Sequence, residues 1–190
     1  NEDSIGTPDE LGALVTGYLE GVIGPAELVA LGAAHRAAAA DDFDGVAAAD
    51  ERLAAATLPS EFRDSATKAG GKLLELVTET DAEPIGGVDT SGIIEECAAA
   101  VDDDRMDGHV PVVLGVVCQQ AAVDSREAAL VSAYASVTGL LGAAQRLGRF
   151  GHTAIQSQLA AAFPTIESVA DRYHDAELRT LCSFAPRPDA

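Results

Sequence analysis

The 190-residue chain has no tryptophan, three tyrosines, five phenylalanines and only two lysines, Lys68 and Lys72. Asp and Glu outnumber Lys and Arg by 31 to 12, so the formal net charge is −19. Binding to the phosphates of a nucleic acid needs clustered Lys and Arg. This composition therefore argues against nucleic acid as a partner.

The acidic residues are spread along the chain and are not gathered in one tail. A dispersed excess of acid is typical of a solvated coat, because concentrated salt screens the repulsion between neighbouring carboxylates. We interpret it as adaptation to a salty cytoplasm, as in a halophilic archaeon. A binding surface for cations or basic partners is the alternative interpretation.

The chain also lacks runs in which Val, Ile or Thr alternate with polar residues, the pattern of half-buried strands. Alanine, the best helix former, dominates the 47% of residues that are apolar. We therefore predict an all-α fold, a single multi-helix bundle in a chain long enough to bury its own core.

No apolar run is long enough to predict a membrane span. Residues 110–123 and 128–145 carry almost no charge, but each is shorter than the ~20 strongly apolar residues that a span requires. We interpret both as buried helices of a soluble protein and see no signal peptide. The three cysteines, Cys97, Cys118 and Cys182, show no CxxC spacing, which fits a reduced, cytoplasmic setting.

Helix boundaries can be predicted from capping and breaking residues. Residues 7–10, Thr-Pro-Asp-Glu, form a capping-box pattern that predicts a helix start, and Gly24-Pro25 predicts its end. Further helices are expected from about Ala26 to Ala40 and from Phe43 to Ala56, and others should start at Pro59-Ser60 and at Ile93. Each of the two uncharged stretches should form one helix. A helix after Gly151 should turn Phe163 inward, and a last helix should start at Pro164-Thr165.

We find no motif for catalysis or for a cofactor. The four histidines, His35, His109, His152 and His174, are scattered and form no HxxxH pair, so we predict no metal site. Residues 70–73, Gly-Gly-Lys-Leu, lack the upstream Gly and the following Ser or Thr of a phosphate-binding loop. Two alternatives stay open: a helical oligomerisation or regulatory protein unrelated to nickel, and an enzyme that uses His109 or Cys118.

Four segments, in chain order, form a wider pattern. Residues 62–74 contain Phe-Arg-Asp, then Gly70, then Leu-Leu; His109 and Gly115 bracket an apolar helix start. Residues 143–153 contain Ala-Gln-Arg-Leu-Gly followed by Gly-His-Thr, and residues 184–189 read Phe-Ala-Pro-Arg-Pro-Asp. Together they resemble the urease accessory proteins of the UreF type.

The departures from that family lie at the ends and in one turn. The family's N-terminal Phe-Pro-x-Gly…Gly-Leu-Glu segment and its C-terminal His-Glu stretch have no counterpart here. His152 stands where Gln is usual, and Phe150 replaces Leu. Since the chain does not begin with Met, we expect a segment to precede it.

The resemblance implies one all-helical domain over residues 1–190, with the loop 81–92 between its halves. It implies a non-catalytic urease maturation chaperone for nickel insertion. Such a protein links a UreD- or UreH-type accessory protein and the nickel-carrying GTPase UreG on apo-urease, and a homodimer is left open. The candidate partner-binding residues are Arg146, Gly148, Gly151, His152, Phe184, Pro186 and Asp189, and the structural motif residues are Gly70, His109 and Gly115.

Arg146 has two interpretations at this point. Its position beside glycines suits a bidentate donor that anchors a partner's carboxylate. It could equally cap the carbonyl groups at the end of its own helix.

The acidic coat predicts that salt stabilises the protein. Because added salt screens carboxylate repulsion, the melting temperature should climb as KCl is raised toward ~1 M. Thermal unfolding followed by circular dichroism across a KCl series measures this. A flat or falling curve would contradict the halophilic interpretation.

Overall fold

The computed structural model describes residues 6–57, 60–78, 90–148 and 150–182. These residues form helices and connecting turns without any strand, which confirms the all-α prediction. The helices are α1 (Pro8–Tyr18), a π-helical segment (Leu19–Leu28), α2 (Val29–Ala39), α3 (Phe43–Ala56), α4 (Ser60–Thr78), α5 (Ile93–Asp102), α6 (Val110–Gln120), α7 (Ser125–Arg146), α8 (His152–Tyr173) and a 3-10 turn (Leu178–Thr180).

The first helix begins where its capping box predicts. The Thr7 hydroxyl accepts a hydrogen bond from the backbone N–H of Glu10 at 3.3 Å. The Glu10 carboxylate in turn accepts from the backbone N–H groups of Gly6 and Thr7, each at 2.9 Å. Three backbone donors that the helix itself leaves unpaired are thereby satisfied.

The prediction that Gly24-Pro25 ends this helix is wrong. The chain continues as helix from Pro8 to Ala39, and the π segment carries it past Pro25. Proline has no N–H to donate and its ring crowds the preceding turn, and a wider π turn accommodates both defects. Gly24 leaves room for the ring of Tyr173, which a Cβ at residue 24 would approach to 2.6 Å.

Two hydrophobic clusters form the core, and the continuous helix contributes to both. Its first half packs with α7 and α8 through Leu11, Val15 and Ile23. Its second half packs with α3 to α6 through Ala30 and Ala34. The helix that the sequence was expected to break at Pro25 therefore joins the two clusters.

α7 and α8 form an antiparallel hairpin that differs from two predictions. α8 runs through Pro164 without a break, so Pro164-Thr165 does not start a new helix. Phe163 does not face inward; it is exposed and its ring stacks on Tyr134, with centroids 6.1 Å apart. Buried Ala162 and Ile166 hold the helix to the core on either side of the proline.

The two uncharged stretches also differ in burial. α6 is largely buried, as expected, whereas α7 exposes Val131 and Tyr134. By length and composition alone, Pro8–Ala39 and α7 could each cross a membrane, a test that core helices also pass. Of their most apolar windows, 56% is buried in Pro8–Ala39 and 33% in α7. α7 therefore exposes a larger share of its apolar window than Pro8–Ala39 does.

Replacing Pro164 should stabilise the protein. Pro164→Ala restores a backbone donor in the middle of α8 and removes the ring clash, so the free energy of unfolding should rise by up to about 3 kcal/mol. Urea denaturation measures the change. Pro8→Ala is the matched control: this proline is also exposed but lies at the first helical turn, where proline is well tolerated. A loss of stability in Pro164→Ala would contradict the expectation.

Candidate functional site

A buried carboxylate on α3 organises the start of α6. Asp50 and His109 are 2% and 1% exposed. Asp50 Oδ2 accepts from the backbone N–H groups of Asp107 at 2.8 Å and Gly108 at 3.0 Å. Asp50 Oδ1 accepts from the backbone N–H of His109 at 2.8 Å and lies 2.9 Å from its ring Nδ1. The side chain thus ties three consecutive backbone donors to α3.

These hydrogen bonds determine the ionisation of Asp50. Burial by itself would raise the pKa of its carboxyl group. The His109 ring, the backbone N–H of His109, the charge of His109 and the backbone N–H of Gly108 together hold that pKa below its usual value. An ionised Asp50 requires a donor opposite it, so His109 Nδ1 carries the proton.

Two of the predicted motif glycines lie at backbone contacts with this region. A Cβ on Gly70 of α4 would lie 1.9 Å from the carbonyl oxygen of Gly108, directly before His109. A Cβ on Gly115 of α6 would lie 2.5 Å from the carbonyl oxygen of Leu31 on α2. α4 therefore contacts the start of α6 at Gly70, α3 contacts it at His109, and α2 contacts the middle of α6 at Gly115.

Asp50, Asp107 and His109 are close enough to be considered as metal ligands. One potential ligand atom from each lies within 4.8 Å of the others. Both Asp50 oxygens already accept two hydrogen bonds each, which uses the full acceptor capacity of a carboxylate. A cation there would have to displace the backbone donors that hold α6. The geometry fits a structural clamp better than a metal centre.

The second group of predicted residues lies in the turn between α7 and α8. Arg146 ends α7, Gly148 adopts a left-handed conformation with φ of 74°, and Gly151 and His152 begin α8. All four are exposed. Arg146 forms no hydrogen bond within the described part of the chain, so that part offers no support for its helix-capping interpretation. The anchoring interpretation stays a prediction.

Exposed apolar side chains lie along this hairpin. Val131 and Tyr134, one turn apart on α7, and Phe163, whose ring stacks on Tyr134, are 53%, 42% and 47% exposed. We call these three residues the hairpin face. Leu147, 76% exposed, lies in the turn itself. None of the 31 acidic residues lies between Glu127 and Glu167, although the chain carries a charge of −19. The hairpin therefore carries exposed apolar side chains on an acid-free stretch of an otherwise acidic protein.

The remaining predicted partner residues, Phe184, Pro186 and Asp189, lie outside the described residues, as do Arg149 and most of the predicted loop 81–92. The described chain ends close by the π segment, where the backbone N–H of Cys182 donates to the carbonyl oxygen of Pro25 at 3.1 Å.

Sequence reasoning missed Asp50 and the hairpin face for different reasons. Asp50 is a lone acid in an alanine-rich helix, and its partners lie more than fifty residues away in the chain; nothing local marks it. The hairpin face could have been found, because aromatic residues inside a long stretch without any acid are unusual for this composition.

Comparison with known proteins gives a consistent result. The UreF family model matches residues 5–163. A urease accessory protein UreF of Trichodesmium erythraeum is 28% identical over 172 residues, covering 88% of this chain and 69% of that protein. Urease accessory protein UreF 1 of Brucella melitensis is 30% identical over 174 residues, covering 85% of this chain and 64% of that protein.

A third relative is similar over a comparable part of the chain. Urease accessory protein UreF of Yersinia pseudotuberculosis is 30% identical over 157 residues, covering 83% of this chain and 65% of that protein. The chain thus spans less than two thirds of the length of the Brucella and Yersinia relatives and slightly more of the Trichodesmium one.

The close contact at Gly70 predicts a sharp difference between two adjacent glycines. Gly70→Ala drives a methyl group into the backbone carbonyl of Gly108, so the free energy of unfolding should fall by about 1–3 kcal/mol. Gly71→Ala meets nothing within 4 Å and should stabilise the helix by up to about 1 kcal/mol. Chemical denaturation of both variants tests the pair. Equal changes in the free energy of unfolding would show that the α4–α6 contact does not require glycine at residue 70.

Proposed function

The chain belongs to the UreF family, and on that premise we propose that it is a non-catalytic scaffold of urease maturation. It holds a UreD- or UreH-type accessory protein and the nickel-carrying GTPase UreG on apo-urease in the cytoplasm while nickel is inserted. Its relatives are named urease accessory proteins. The scaffold carries no cofactor of its own.

The observation that supports binding as the activity is the hairpin face. Exposed aromatic and aliphatic side chains grouped on one surface are typical of protein interfaces, whose cores are poor in charged residues. On a protein of charge −19, an acid-free surface is where another protein can approach without burying carboxylates. We therefore assign the hairpin face to partner binding.

The polar groups of the interior support the absence of catalysis. Both oxygens of Asp50 are occupied by structural hydrogen bonds. Burial, together with the negative charges of Glu96 and Asp50, raises the pKa of Cys97 to about 12. That thiol stays protonated at neutral pH and is a poor nucleophile. Burial also raises the pKa of Cys118, so the two helix thiols behave as core residues.

Arg146 adds a charged contact at the end of the same hairpin. Its exposed guanidinium, which has no hydrogen-bond partner among the described residues, can form a bidentate pair with a carboxylate of an approaching protein. The turn would thus orient a partner that the hairpin face holds. A second copy of the chain can use the same face, because two such surfaces meet without acid–acid repulsion, so a homodimer is part of this proposal.

A single charge in the hairpin face should weaken this binding. Tyr134→Asp places a carboxylate in the centre of the apolar surface, and partner affinity should fall by about tenfold or more. Gel filtration with light scattering, at high salt, measures the mass of the chain alone and its co-elution with the UreD-type protein and with UreG. The chain alone reports the homodimer, and the mixtures report the two partners separately.

Leu14→Asp is the matched control. Leu14 is 40% exposed on α1, outside the hairpin, so the same change there should leave co-elution intact. If Tyr134→Asp, still folded by circular dichroism, co-eluted like the unmodified chain, the assignment of the hairpin face would be wrong. If the unmodified chain bound neither partner, the scaffold role itself would fail.

A further inference from the structure

One side of α7 carries a line of uncharged residues next to the hairpin face. Alternating steps of four and three residues stay on one side of an α-helix. From Val131 these steps lead to Ala135, Thr138, Gly142 and Gln145, and all five residues are exposed or half-buried. We call them the outer seam. Because Tyr134 stacks on Phe163 of α8, this aromatic pair flanks the outer seam on the α8 side.

The outer seam leaves room for another helix to approach α7 closely. A Cβ on Gly142 would meet only the side chain of Arg146, 3.7 Å from Nη1. A Cβ on Gly139, beside the seam, would meet nothing within 4 Å. Ala135 adds only a methyl group. A second helix could therefore pack on α7 with its axis about 8 Å away, the short end of the range for helix pairs.

The two ends of the outer seam carry opposite charges. Glu127 lies in the first turn of α7, Glu167 lies one turn beyond Phe163 on α8, and both are exposed. At the other end, the guanidinium of Arg146 lies beside Gly142. Helices commonly carry acidic residues in the first turn and basic residues in the last. Such a helix matches both ends of the seam when it runs antiparallel to α7.

A second copy of α7 fits the outer seam less well than a helix of different sequence. In an antiparallel pair of α7 helices, the half with Val131 and Tyr134 meets the half after Thr138. That second half, which the structure describes throughout, exposes no large apolar side chain before Arg146. In a parallel pair, Arg146 of one copy would meet Arg146 of the other. Either arrangement leaves the aromatic pair or the charges without a match.

We propose that the hairpin face receives one helix of a partner protein, which lies antiparallel along the outer seam of α7. This inference rests on the proposed function and specifies what the hairpin face binds. Apolar residues of the partner helix pack against Tyr134 and Phe163, and its acidic first turn lies at Arg146. Its basic last turn lies at Glu127. These two residues are about 28 Å apart along α7, so the partner helix has about 19 residues.

Filling the outer seam should block this helix without unfolding the chain. Gly142→Leu places a branched side chain on the contact line, and leucine favours a helix more than glycine does. The affinity for the UreD-type protein or UreG, whichever binds the unmodified chain, should fall by about tenfold or more. Calorimetric titration measures it. Gly142→Ala adds one methyl group and should weaken binding less.

Gly71→Leu is the matched control, because Gly71 is also a helical glycine with open space around it, but on α4. It should bind the partner like the unmodified chain. Circular dichroism confirms that both leucine variants are folded. Equal loss of affinity in Gly71→Leu and Gly142→Leu would overturn the proposal.

Arg146→Glu tests the direction of the partner helix. A carboxylate at this end would repel the acidic first turn, so affinity should fall, and the loss should shrink as KCl is raised. Unchanged or stronger binding would show that no acidic helix end lies there, and the antiparallel arrangement would be wrong.

Tyr134→Asp separates this inference from the proposed function. If Tyr134→Asp weakened binding and Gly142→Leu did not, the hairpin face would still bind the partner, but without a helix on the outer seam. If Gly142→Leu changed only the mass of the chain alone in light scattering, the seam would be a contact between copies and the proposal would be wrong. If the unmodified chain bound neither partner, the proposed function would fail, and this inference with it.

Discussion

The carboxylate of Asp50 is the interaction on which the arrangement of α6 depends. Three consecutive backbone N–H groups would be buried without partners at the start of that helix, at a cost of several kcal/mol, if this side chain did not accept them. Because Asp50 belongs to α3, the same hydrogen bonds fix where α6 begins relative to α3. Gly70 and Gly115 then allow α4 and α2 to approach the start and the middle of α6 at backbone distance.

The acidic surface and the apolar hairpin are best understood together. A charge of −19 repels other acidic surfaces, so a contact is favoured where no carboxylate has to be buried. The stretch from Ala128 to Ile166 contains no acidic residue, and its exposed aromatic pair, Tyr134 and Phe163, offers apolar area to bury. The charge distribution thus favours the hairpin face as the surface that we propose for partner binding.

The π segment connects the two halves of the core. It contributes Leu19, Ile23 and Leu28 to one hydrophobic cluster and Ala26 to the other, so the continuous helix passes from the first cluster to the second without a break at Pro25. A wider helical turn accommodates the proline within that helix.

The sequence by itself determined the helical class, the bounds of α3, the capping box at Thr7 and the family, because these depend on local preference and on residue order. It could not determine whether Pro25 and Pro164 break their helices, because the energy of packing Ile23, Ile166 and their neighbours outweighs the loss of one hydrogen bond. Nor could it place Asp50 beside His109 or Phe163 on the surface. Those outcomes depend on contacts between residues distant in the chain, which only the tertiary structure brings together.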